Sequence, residues 1–111
     1  LNGLTALTGR TLSVVGDPAI RPVAIETIRE CWQIARADGA DLDPDGAEAI
    51  IDRLINSGND GGTSMLYDTR AGRPTEHDAI HGSALRRAEA LGIDTPTIRF
   101  IHGILDARSR A

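Results

Sequence analysis

Asp43-Pro44-Asp45-Gly46-Ala47-Glu48-Ala49-Ile50-Ile51-Asp52-Arg53-Leu54-Ile55 settles the fold class. Asp followed by Pro is a helix-opening pair, because Asp caps free amides and Pro tolerates the first turn. Ala47, Ile50, Ile51, Leu54 and Ile55 then recur at steps of three and four, the rhythm of one buried helix face. The rhythm repeats on both sides. Upstream, Asp17-Pro18 predicts a turn over 17–21 and a helix from Pro22 to Asp38, since Pro in a helix interior removes a backbone bond and clashes with the preceding turn. Ala24, Ile28, Cys31 and Ala35 form its expected inner stripe, with Trp32 at the border, and Gly39 stops it. Downstream, Asn56-Ser57-Gly58-Asn59-Asp60-Gly61-Gly62 is a break. A short helix follows over Thr63–Arg70, ending near Gly72. A long one begins at Thr75, where Thr75 and Asp78 make a capping-box-like pair. Its expected inner stripe is Ile80, Ala84, Ala88 and Leu91, with Gly92 at its end. Thr95-Pro96 caps a last helix with Ile98, Ile101, Ile104 and Leu105 inward, and Leu1 to Thr8 reads as the tail of another. Thr11–Val15 alone resembles a strand, and one strand makes no sheet. The expected fold is all-α, about six helices in a single compact domain over residues 1–111.

Composition narrows the function. The chain has 111 residues, 41% hydrophobic, and its only aromatics are Trp32, Tyr67 and Phe100, so the core must be aliphatic. A net charge of −4 argues against a nucleic-acid surface, which needs a basic face to release counterions. Arg86-Arg87 and Arg108/Arg110 read as solvated helix faces. A single cysteine, Cys31, excludes an internal disulfide and reads as a small buried hydrophobe. No apolar run approaches the ~20 residues that span a bilayer, and no signal peptide is visible, so the expected setting is cytoplasmic with no membrane partner. All twelve basic residues are arginine, and the chain contains no lysine. Leu1 stands where a translated chain has Met, so the sequence is read as a piece of a longer protein.

Polar side chains concentrate between Thr63 and Gly82. Ser64 and Asp68 are four apart and share a helix face. From spacing, Ser64 caps its helix; the glycines before it also leave amides open to an anion such as a carboxylate. Glu76 lies in a first turn, where the helix dipole favours a negative charge; the same carboxylate is placed to accept from a hydroxyl or a cation. His77 and His81 have the spacing of a metal pair, but no Glu follows His77 and no third ligand is obvious, so no metal site is expected. Gly82 and Gly103 interrupt helical patterns at a cost of about 1 kcal/mol each relative to Ala, which suggests close approach of another helix, a ligand or a second domain. No phosphate-binding glycine fingerprint and no Ser–His–Asp order is present.

Four blocks carry a resemblance: Asn2-Gly3-Leu4-Thr5-Ala6-Leu7, Ser64-Met65-Leu66-Tyr67-Asp68, Gly72-Arg73-Pro74-Thr75-Glu76 and Gly92-Ile93-Asp94-Thr95-Pro96. In this order they resemble the C-terminal domain of ketopantoate reductases (2-dehydropantoate 2-reductases), a helical domain like that of 6-phosphogluconate dehydrogenase-like reductases. The resemblance implies an oxidoreductase with its own N-terminal Rossmann domain upstream, binding NADPH. Hydride reduces the 2-oxo acid ketopantoate to pantoate, on the way to pantothenate and coenzyme A, and a lysine acts as general acid. By the same resemblance Asn2 and Ser64 bind substrate, Met65, Leu66 and Tyr67 frame its pocket, Glu76 contacts the cofactor and Asp68 supports the site. No catalytic residue falls within this chain: the lysine is expected two turns before Asn2, and a second asparagine one turn before it. His81-Gly82 stands where the family commonly has Asn-Gly. These residues alone are therefore expected to be inactive. A second reading stays open, a non-catalytic helical binding or dimerisation module that keeps the fold; a homodimer is compatible with either.

Overall fold

The computed structural model describes residues 1–58 and 60–110; Asn59, in the expected break, lies outside them. The described residues are helical, with no strand among them. The order is α1 (Asn2–Thr8), a 3-10 turn (Leu12–Gly16), α2 (Arg21–Ala37), α3 (Gly46–Asn56), α4 (Ser64–Arg70), a π-helical turn (Asp78–Gly82), α5 (Ser83–Leu91) and α6 (Pro96–Ser109). The all-α expectation of about six helices is met.

α2 is the central post, packing against α3, α5 and α6, while α1 lies between α4 and α6. The core is aliphatic: Leu4, Val14, Val15, Ala24, Ile25, Ile51, Met65, Ile101 and Leu105. Pro22 falls in the first turn of α2, where its missing N–H costs nothing. The carboxylate of Asp17 accepts from the Ala19 amide and its carbonyl from the Arg21 amide, which shapes the turn before that helix. α2, α4 and α5 each stop at a glycine of positive φ, residues 39, 72 and 92, a backbone region that side chains with a Cβ avoid.

Four expectations need correction. Thr11–Val15 is not extended: Val14 and Val15 are both buried, whereas a half-buried strand would turn one of them outward. Asp60 holds the 3-10 turn instead, accepting from the Thr11 hydroxyl (2.5 Å) and the Ser13 amide (3.0 Å). In α2 the inner face is rotated by a residue, with Ala24, Ile25, Thr27, Glu30 and Ile34 buried and Ile28, Cys31 and Ala35 only half-buried. The π-helical turn before α5 inserts an extra residue into the helical count. His77, His81 and Gly82 therefore face inward, and Ile80 is exposed. In α6, Ile98, Ile101 and Leu105 are buried as expected, but Ile104 is exposed.

The start of α6 differs too. Thr95 is buried yet makes no side-chain cap. The carboxylate of Glu30, on α2 and itself buried, accepts from the amides of Thr97 (3.0 Å) and Ile98 (2.9 Å). Pro96 has no N–H, and the Arg99 amide bonds the Thr95 carbonyl, so every early amide of α6 is satisfied.

Candidate functional site

α1 and α4 are joined at their amino ends by hydroxyls. Thr63, not Ser64, is the N-cap of α4: its Oγ1 accepts from the Leu66 amide at 3.1 Å. The Thr5 hydroxyl, fully buried, donates to the Asn2 carbonyl at 2.9 Å. The two hydroxyls lie 2.7 Å apart. Because Thr5 spends its one proton on Asn2, Thr63 must donate to Thr5. An uncharged chain thus runs from the Leu66 amide through Thr63 and Thr5 to Asn2 and fixes the first turn of α1 against the first turn of α4.

Capping by Thr63 leaves the next residue free. Ser64 is exposed, and its hydroxyl has no partner among the described residues. Asn2 is half-buried, and its side-chain amide likewise makes no hydrogen bond among them. Met65 and Leu66 point the other way, 2% and 0% exposed, so they support the seam from the core and present no surface. Tyr67 is half exposed; its hydroxyl accepts from the Gly62 amide at 3.3 Å. A Cβ on Gly62 would lie 2.6 Å from the ring, so glycine lets the loop lie on Tyr67 where a larger residue would have to push the ring aside. Asp68 is engaged by Arg73 at 2.9 Å, which ties α4 to the segment that follows it.

Glu76 sits just before the helical turn at His77, exposed, its carboxylate without a partner among the described residues. The expected capping pair does not form: Thr75 bonds His77 Nδ1 at 2.8 Å, and Asp78 pairs with Arg86 at 3.2 Å. That pair crosses over Gly82, where a Cβ would collide with it, whereas Gly103 faces open space. The close approach of helices occurs at Gly3, where a Cβ would lie 2.5 Å from Ile101 and 2.8 Å from His81 Nε2. The Nε2 edge of the His81 ring therefore lies against the backbone of α1 at Gly3. Burial, the largest cause, pushes the pKa of His81 down to about 4. Burial raises the Cys31 thiol above its ordinary range, the opposite of what a nucleophile needs.

His77 does not pair with His81 as its spacing suggests. His77 Nε2 lies 3.2 Å from Asp106 Oδ1, and the rings of His77 and His102 are 5.6 Å apart between centroids. Asp106 is held below the usual carboxylate range by Arg110 first and His77 second. Beside His77 opens a cleft of about 550 Å³, lined by Arg73, Thr75, His77 and Arg108 among others. Sequence reading missed Thr5, Thr63, His102 and Asp106. The signal for the last two was present: His102 and Asp106 are four apart on one helix. What joins them to His77 is tertiary.

A family model described as ketopantoate reductase PanE/ApbA C terminal matches residues 1–109. A 2-dehydropantoate 2-reductase of Mycobacterium tuberculosis is 34% identical over 109 residues, 98% of this chain and 37% of that protein. One of Caulobacter vibrioides is 32% identical over 104 residues, 94% of this chain and 36% of its own length. Among solved structures, a dimeric ketopantoate reductase from Staphylococcus aureus superposes with a TM-score of 0.87 at 29% identity, covering 98% of this chain and 38% of that one. A 2-dehydropantoate 2-reductase from Methylococcus capsulatus gives 0.83 at 25% identity, covering 100% and 39%. The chain thus spans a little over a third of the relatives it matches.

Proposed function

We infer that this chain, which belongs to the family of ketopantoate reductase C-terminal domains, closes over the 2-oxo acid in an NADPH-dependent reductase. Ketopantoate is the substrate and pantoate the product. Asn2 and Ser64 hold the acid, Tyr67 walls the pocket, and Met65 and Leu66 hold that wall rigid from below. Glu76 faces the cofactor, and Asp68 steadies the loop that carries it. The dinucleotide site belongs to an upstream Rossmann domain and the general-acid lysine to the helix two turns before Asn2, so these 111 residues, which contain no lysine, turn nothing over alone. The setting is cytoplasmic, and a homodimer suits the fold.

One observation carries the reading. Most polar side chains around the α1–α4 seam are spent on each other: Thr5 on Thr63, Asp68 on Arg73, Thr75 on His77. Asn2, Ser64 and Glu76, the three that the family resemblance assigns to ligands, are the ones left without partners among the described residues. Among the described residues no helix is long and apolar enough to cross a membrane.

The test is NADPH oxidation by the encoded full-length protein with ketopantoate, wild type against Ser64→Ala. A hydrogen bond to a charged group contributes about 1.5–3 kcal/mol, so kcat/KM is expected to fall roughly 10- to 100-fold. Absence of turnover with any 2-oxo acid would favour the non-catalytic module. Turnover with an unaffected S64A variant would keep the enzyme and remove Ser64 from its site.

A further inference from the structure

We propose that His77, His102 and Asp106 form a binding site for a divalent transition-metal ion, zinc being the best match to the donors. One ligand atom from each lies within 4.8 Å of the other two. The donor set is two imidazoles and a carboxylate, a combination that zinc takes with a water in the fourth position.

Three features argue for a site rather than a chance meeting. The first is spacing. His77 Nε2 and Asp106 Oδ1 are 3.2 Å apart. Two ligands at ~2.0–2.1 Å from a tetrahedral zinc stand roughly 3.3 Å from each other. Two of the three ligands are therefore already at ligand spacing, and a ring nitrogen of His102 lies within 4.8 Å of both. The second is the outer partner. His77 Nδ1 is 2.8 Å from the Thr75 hydroxyl. That hydroxyl donates to Nδ1 while Nε2–H points at Asp106, and accepts from Nδ1–H once Nε2 gives its lone pair to a metal. Metal-ligating histidines generally hold their second nitrogen in this way. The third is an unused atom. Among the described residues His102 Nε2 is buried with no hydrogen bond, and the acid beside it, Asp78 Oδ1 at 3.4 Å, falls outside hydrogen-bond geometry.

The site also has an entrance, since His77 lines the 550 Å³ cleft. Arg110, which holds the second carboxylate oxygen of Asp106, is exposed and free to swing away. An ion here ties the segment next to Glu76 to the middle of α6. It is a staple placed beside the proposed cleft, with no part in hydride transfer.

Cobalt(II) is the probe, because its visible absorption reports tetrahedral nitrogen and oxygen ligation directly. The encoded full-length protein, stripped with chelator, is titrated with cobalt and then displaced with zinc. The expected result is one saturating equivalent with tetrahedral absorption, lost in His102→Gln and in Asp106→Asn, and retained in His81→Asn. Thr75→Val should weaken binding about 10-fold or more through the outer partner, and Thr75→Ser should restore it. Near-ultraviolet circular dichroism confirms that each variant is folded; if H102Q is not, D106N is read in its place. Absence of saturable binding, or identical titrations of the wild type and the folded variant, overturns the proposal.

Discussion

α4 and α6 face the same problem at their amino ends and solve it differently. α4 is capped locally: the hydroxyl of Thr63 takes the amide three residues on. The amides of Ser64 and Met65 keep no partner among the described residues, and Ser64 is exposed beside them. α6 is capped from a distance, by a buried carboxylate 67 and 68 residues away in sequence. Its end is sealed, because the anion that a helix amino terminus favours is already built in. The open end carries the residues proposed to meet substrate, and the sealed end is architecture. A helix start is a place for a ligand only where the protein has not used it itself.

The comparison breaks first at Glu30. In Glu30→Ala the amides of Thr97 and Ile98 lose their acceptor inside the protein, at about 1–3 kcal/mol for a buried donor left unmade. A loss of about 3 kcal/mol is expected in guanidinium unfolding of the encoded protein, followed through the fluorescence of Trp32 on the same helix. Glu30→Gln keeps one good acceptor and should fall between. A loss below about 0.5 kcal/mol in E30A would mean that water replaces the cap and the end of α6 is not sealed.

The same contrast explains what was legible in the sequence. Local devices could be read: the apolar rhythm of α3, the Asp-Pro turn before α2, the stops at Gly39, Gly72 and Gly92. Thr63 was within one residue of the cap expected at Ser64, and that single step decides whether Ser64 is spent or available. Contacts across the fold could not be read. Glu30 sits on a helix face that spacing made peripheral, because Ile28, Cys31 and Ala35 offered a competing apolar stripe. The π-helical turn shifts phase without any Pro or Gly signal at its start, so Ile80 was expected inside and His81 was not. Asn2 was picked out by resemblance alone, and the resemblance raised Ser64 and Glu76 above the helix-start roles that their positions suggest. Their lack of internal partners is a property of three dimensions that no periodicity contains.

Thr63 sharpens the comparison from the open side. Thr63→Val keeps the shape, removes the acceptor of the Leu66 amide and strands the Thr5 hydroxyl link. Loss of a hydroxyl cap costs about 1–2 kcal/mol, less than E30A because the end of α4 is close to water. Thr63→Ser should be near wild type. Hydrogen exchange at the Leu66 amide is the specific readout, faster in T63V and unchanged in T63S. Since neither threonine titrates, the T63V deficit should be the same at pH 5 and pH 8.

Ahead of the amino end of α4 the ionisable support is Asp60, and that gives the smallest expected effect. The Thr11 hydroxyl first, and then the Ser13 amide, hold the Asp60 carboxyl below its ordinary 3.8. The unfolded chain therefore binds this proton more readily than the folded one, and stability rises with pH across the interval between the two values. The contribution is complete above pH ~4 and disappears as pH falls through the lower folded value. Asp60→Asn keeps an oxygen for both donors but removes the charge and with it the titration. It should therefore make unfolding at pH 7 somewhat easier, by the contribution that the charge supplies there, and flatten the acid limb below pH 4, measured as the midpoint of acid unfolding. If that midpoint is the same in D60N and wild type, the 3-10 turn is held by its neutral contacts, among them the Leu12 amide on the Gly61 carbonyl at 3.0 Å. The open end would then be uncharged to its rim, and its contrast with the carboxylate-sealed end of α6 would be complete.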